Sequence, residues 1–152
     1  MISPLAQLRS ELRAHTNPAK AKILQRFFKT APGEYAEGDV FLGLTVPQTR
    51  KIAAKYKNLS LTDIGQLLHL KIHEERFCAL VILILKYRKA EKDKNEKAKK
   101  EIYRFYLDNS SRINNWDLVD VSAPVIVGAY LKNNNRRILY DLAKSANLWE
   151  RR

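Results

Sequence analysis

Phe77-Cys-Ala-Leu-Val-Ile-Leu-Ile-Leu85 runs nine residues without a charged or strongly polar side chain. A helix that is apolar all round is buried on every side, so this stretch predicts a central helix on which the rest of the chain packs. It falls well short of the roughly 20 apolar residues that cross a bilayer, and no other stretch approaches that length. Cys78, inside it, reads as a small core residue. It is the one cysteine of the chain, so no internal disulfide can form and a reducing compartment is the default.

The sequence on either side also reads as helices. Toward the N-terminus, Ser60-Leu-Thr-Asp63 resembles an N-cap with an acidic residue three places on, and Ile64, Leu67 and Leu68 follow it. Pro47 opens a helix carrying Ile52, Ala53 and Tyr56. Ala31 to Leu44 holds three of the five glycines and reads as a loop. Asn17-Pro18 and Ser3-Pro4 each place a capping side chain before a proline at the first helical position. They introduce Ile23, Leu24, Phe27 and Phe28, and Leu5, Leu8 and Leu12, at helical spacing. Toward the C-terminus, Lys86 to Arg104 carries nine Lys or Arg against four acids, the pattern of a solvated helix face or a loop. Ile102, Tyr103, Phe105, Tyr106 and Leu107 then restore a buried face. Asn133-Asn-Asn135 is a loop and cap before Ile138, Leu139, Leu142 and Ala143, and the sequence closes on Leu148-Trp-Glu-Arg-Arg152.

A chain of 152 residues, 45% hydrophobic, is long enough to bury a core as one domain. Its 5 Gly and 5 Pro are too few for a sandwich or barrel of many tight turns. Consecutive helix pairs at a spacing of roughly 40 residues are the mark of stacked helical repeats. The fold class is therefore expected to be all-α: a right-handed-type superhelical stack of antiparallel helix pairs, a HEAT-like or armadillo-like α-solenoid, forming one domain over residues 1–152. An irregular helical bundle is the alternative. Such stacks curve, and a concave face suits an extended polymer.

Charge narrows the partner. Lys and Arg number 28 against 16 acids, a formal +12, beyond the surplus of about 2–8 common for a small domain. The resulting field attracts polyanions, nucleic acid first and acidic membrane surface second. The opening Met1-Ile-Ser-Pro-Leu-Ala-Gln-Leu-Arg9 lacks the apolar run of a secretion signal, so a cytoplasmic location is expected. His69 and His73 stand four apart, a spacing two metal ligands can share, but no third ligand is evident beside them.

Chemistry is best placed in Asn114-Asn-Trp-Asp-Leu-Val-Asp-Val-Ser-Ala-Pro124. Asn114 or Asn115 can cap a helix, and Asp117 then lies in its first turn, where the dipole favours an anion. Trp116 and Asp120, four apart, project from one face. An aromatic wall beside a carboxylate suits a cationic substrate. Pro124 has no N–H for the carbonyl of Asp120, so a kink or restart is expected there. The plainer alternative puts Trp116 in the core and bonds Asp120 to a neighbouring arginine.

Four stretches together carry a family resemblance: Phe41-Leu-Gly-Leu-Thr-Val-Pro-Gln-Thr-Arg50, His73-Glu-Glu-Arg-Phe-Cys-Ala-Leu80, Asn115-Trp-Asp-Leu-Val-Asp120 and Leu148-Trp-Glu-Arg-Arg152. In this order and spacing the sequence resembles the DNA alkylation repair glycosylases built of HEAT-like repeats, the AlkD type. The resemblance implies hydrolysis of the N-glycosidic bond of cationic N3- or N7-alkylated purines in duplex DNA, with no metal or organic cofactor. It implies that Asp120 is the catalytic carboxylate and that Trp116 packs against the sugar of the damaged nucleotide. Arg151 or Arg152 matches the family's DNA-contacting basic residue. Arg50, Arg76, Arg112 and Arg152 are expected on one DNA-facing surface. The family continues beyond the Trp-Glu-Arg-Arg stretch, so the chain is expected to be the N-terminal portion of a longer domain. A non-catalytic nucleic-acid-binding module and a protein-interaction scaffold are the other readings of the same composition.

Overall fold

Each helix begins where a side chain takes up the first unpaired amides. In the computed structural model, which describes residues 1–152, Ser3 caps α1 (Pro4–Ala14) and Asn17 caps α2 (Pro18–Phe27), each followed by proline. Thr45 caps α3 (Val46–Lys55). Its hydroxyl accepts from the Gln48 amide at 3.2 Å, while the Gln48 side chain accepts from the Thr45 amide at 2.8 Å. This reciprocal capping box escaped the sequence reading, which started the helix from Pro47 alone. Ser60 caps α4 (Leu61–Leu68), accepting from the Asp63 amide at 3.1 Å and donating to its carboxylate at 2.8 Å. The long helix α5 (His73–Lys92) and α6 (Glu96–Asp108), capped by Asn95, follow. A 3-10 turn at Ser110–Arg112 precedes α7 (Trp116–Ala123), which runs through a π turn (Pro124–Gly128) into α8 (Ala129–Leu131). The short helices α9 (Arg137–Ala143) and α10 (Leu148–Arg151) complete the chain. There are no strands; one isolated bridge pairs Val40 with Ile72. The fold class is all-α, and no helix is long and apolar enough to cross a membrane.

The chain divides into two compact units, Met1–Ile82 and Leu83–Arg152, with the boundary inside α5. The first unit is organised by the opening of α5, where His73, Glu74, Glu75 and Arg76 are all buried. Glu74 reaches the Leu42–Leu44 loop and accepts from the amides of Leu42, Gly43 and Leu44 at 2.8–3.3 Å. A carboxylate is a strong acceptor for such amides, and the arrangement fixes a loop that has no ladder of its own. Gly43 is required there. Its φ is +92°, and a Cβ would lie 2.2 Å from the Asn17 carbonyl oxygen. Asp39 accepts from Arg76 at 2.6 Å and meets His73 Nδ1 at 3.2 Å, while the His73 ring stacks on Phe41. Burial pushes the Asp39 carboxyl up, but the His73 hydrogen bond and the Arg76 charge outweigh it and hold it below its usual range. Glu75 is fully buried and accepts from Arg9 Nε of α1 at 2.9 Å.

Phe77 through Ile84 are buried as expected of the apolar run, and Cys78 is a core thiol that burial pushes up to about 12. In the second unit α6 is joined to α7 by the hydrogen bond between Tyr106 and Ser122 hydroxyls, 2.8 Å, and to α8 by the stacked rings of Tyr103 and Tyr130. The charged run divides at Lys94, whose φ of 52° lies between the end of α5 and the start of α6. Most of it is exposed helix surface. Pro124 neither breaks nor restarts its helix. Ala123, Pro124, Gly128 and Ala129 all keep right-handed helical dihedrals, and the turn widens to π spacing instead. Such a turn takes up the missing N–H without ending the helix.

Candidate functional site

The segment around Trp116 is started by Asn115, fully buried, whose side chain accepts from the Trp116 amide at 2.8 Å. Asp117 accepts from the Leu118 amide at 2.8 Å and so serves the first turn. One turn on from Trp116, Asp120 faces outward with 46% of its side chain exposed. Arg152 meets it as a fork: Nε donates to Oδ1 at 2.7 Å and Nη2 to Oδ2 at 2.8 Å. The Arg152 hydrogen bonds hold the Asp120 carboxyl below its usual range. The plainer reading of the sequence, Asp120 bonded to an arginine, thus describes the pair, but the pair is on the surface and open to a ligand.

Arg152 is delivered by α10, four residues long and too short to persist unaided. Three contacts hold it. Asn147 accepts from the amides of Trp149 and Glu150 at 2.8 and 3.4 Å. Glu150 accepts from the hydroxyls of Ser110 at 2.7 Å and Ser145 at 2.5 Å, which lower its carboxyl. Arg151 Nη1 donates to the carbonyls of Ser145 and Ala146 at 2.8 and 3.0 Å. Glu150 is a positioning residue that the sequence reading did not single out. Its partners lie 40 and 5 residues away, so the signal is tertiary. The two arginines that sequence could not separate have distinct places: Arg151 closes the local turn, and Arg152 meets Asp120.

Asp120 and Arg152 lie on a groove of about 710 Å³ whose lining also includes Ala123, Pro124, Val127, Leu131, Lys132, Arg136 and Leu139. Trp116 is half-buried and is not part of that lining. A half-exposed carboxylate, kept ionised and fixed in direction by a guanidinium, can stabilise a positive centre brought into the groove.

The other arginines separate by burial. Arg76 is 5% exposed, bonded to Asp39 and to the Leu70 carbonyl. Contrary to the expected DNA contact, this guanidinium is buried against a carboxylate and cannot also meet a phosphate. Arg50 is exposed, with its guanidinium 5.9 Å from the Phe77 ring centroid, and Arg112 is exposed on the 3-10 turn. His69 caps α4, its Nδ1 2.8 Å from the Gly65 carbonyl, whereas His73 is engaged with Asp39. No group of three or more His, Cys, Asp or Glu is placed to hold a metal ion.

A family model described as DNA alkylation repair enzyme matches residues 8–152, a span that contains every residue of this site. No curated protein matches the chain.

Proposed function

The chain belongs to the DNA alkylation repair enzyme family, and on that premise we propose that it is a DNA glycosylase releasing cationic N3- and N7-alkylated purines from duplex DNA. We further propose the HEAT-like, AlkD type of this family, an assignment supported by the succession of short helix pairs and the four stretches of resemblance. Asp120 is the catalytic carboxylate. The observation that carries this reading is its position, half-exposed on an open groove and forked by Arg152.

The chemistry needs little else from the protein. An alkylated purine already bears positive charge and leaves without protonation. As the glycosidic bond lengthens, the bonding pair goes to the base and positive charge develops on the deoxyribose. A fixed carboxylate beside that ring lowers the barrier or orients the water that adds to it, with the water's proton passing to solvent. Trp116, one turn before Asp120 but outside the groove's lining, is assigned the aromatic contact to the sugar on the family resemblance alone. Arg152 spends Nε and Nη2 on Asp120, and with Nη1 left to meet a phosphate we assign the DNA contact to it rather than to Arg151. Arg50 and Arg112, both exposed, are retained as phosphate contacts.

Release of 7-methylguanine and 3-methyladenine from methylated duplex DNA tests the proposal, with Asp120→Asn alongside. Release by the parent chain that disappears in the variant is expected. Equal release by both would remove Asp120 from the mechanism. Binding without chemistry is the second reading, favoured by the net charge of +12 alone. Salt-sensitive binding with no release by the parent chain would select it.

A further inference from the structure

Beyond the Asp120–Arg152 pair, the same groove carries two more cations on its lining, Lys132 and Arg136. Asp120 is the one acid of that lining and is already matched by Arg152. Lys132 follows α8 directly, is exposed, and takes part in no ion pair. Arg136 is aimed by the backbone: Nε donates to the Leu131 carbonyl at 3.2 Å and Nη2 to the Lys132 carbonyl at 3.0 Å. One edge of its guanidinium thus closes the helix end, and the residue as a whole remains exposed.

The rest of the lining narrows the ligand class. Ala123, Pro124, Val127 and Gly128 offer no side-chain hydrogen-bonding group. A site for a small polar metabolite would bring convergent polar groups to such a floor. Here the charged side chains are Asp120, already matched by Arg152, and the two further cations Lys132 and Arg136. That distribution fits a strand whose sugars cross an apolar surface while its phosphates meet cations at the edge. We infer that Lys132 and Arg136 form a phosphate seat for the DNA backbone, next to the nucleotide that faces Asp120. The register of the seat rests on the reading of Asp120 given above, and its existence does not.

The experiment is fluorescence anisotropy of an unmodified duplex with the full chain between about 50 and 200 mM salt. Lys132→Ala is expected to weaken binding about three- to tenfold and to reduce the slope of log K against log salt by about 1, with Lys132→Arg restoring both. Lys132→Ala/Arg136→Ala is expected to reduce the slope by about 2. Because Arg136 also closes α8, the single Lys132 variants decide the matter. Lys57→Ala, an exposed lysine of the first unit, serves as comparison. An unchanged slope in Lys132→Ala, or an equal fall in Lys57→Ala, would overturn a local seat in favour of diffuse attraction. Single-turnover base release at saturating protein separates the two proposals. Asp120→Asn should lose base release there, whereas Lys57→Ala, outside the groove, should keep the parent rate. A parent chain that binds with the stated slopes and releases nothing sinks the glycosylase reading and leaves the seat standing.

Discussion

Both units place carboxylates near the start of a helix, and they put them to opposite uses. In Met1–Ile82 the acids at the start of α5 are Glu74 and Glu75, 5% and 0% exposed, and each is engaged by groups distant in sequence. In Leu83–Arg152 the corresponding acids of α7 are Asp117, which serves its own first turn, and Asp120, which points into an open groove. A parallel contrast separates two arginines: Arg76 is sealed against Asp39, whereas Arg152 is 49% exposed. A buried ion pair organises the fold because removing one partner strands the other in a low-dielectric interior. An exposed pair contributes little to folding and can be traded for a ligand. Residue type is shared between the two regions, and burial divides charges held inside the fold from charges left in water.

Asp39→Ala is the strongest test of that division. It removes the carboxylate from a buried Arg76 and is expected to destabilise the chain by about 3–5 kcal/mol in chemical denaturation. The pH dependence has a definite sign. The folded Asp39 carboxyl lies below its usual value, so its stabilisation is present above the unfolded value of about 3.9 and is lost as pH falls through the folded one. The gap between parent and Asp39→Asn should therefore shrink on acidification below about pH 4. A gap that instead widened toward acid would contradict the assignment.

Gly43→Ala comes next, at about 3 kcal/mol. The positive φ and the Asn17 carbonyl both exclude a side chain there, and neither obstacle is a flexible side-chain end that can move aside. A thermal midpoint equal to the parent's would show that the Leu42–Leu44 loop is not pinned as described.

On the other side of the comparison, Asp120→Asn should leave the thermal midpoint within a few degrees of the parent's while slowing base release by about a hundredfold or more. A large loss of stability would place Asp120 with the structural acids of the first unit. The smallest effect belongs to Cys78. Its thiol, fully buried and pushed up to about 12, should stay unreacted toward iodoacetamide at neutral pH until the chain is unfolded. Rapid labelling of the native chain would mean that the α5 core opens locally.

Much of this architecture was legible before any coordinates. The Ser3, Asn17 and Ser60 caps, the loop before α3, and the buried Phe77–Ile84 stretch of α5 all follow from rules acting over a few residues. So does the placement of Trp116 and Asp120 one turn apart. The exceptions are also local. Thr45 hid behind Pro47 as a start signal, and Pro124 was absorbed by a π turn because the helix could widen by one residue per turn.

Local rules account for the helices and the excess of positive charge, and they put Asp120 one turn from Trp116. Capping, periodicity and composition are set by near neighbours. The tertiary structure alone decided which charges are available. Nothing local distinguishes Arg76 from Arg152, or Glu74 from Asp120. Arg76 is sealed by Asp39, 37 residues away, and Glu74 by amides about 31 residues away, whereas Arg152 reaches across 32 residues to a carboxylate that remains in water. Burial is a property of the packed chain, and burial sets whether a charge holds the fold together or waits for a ligand.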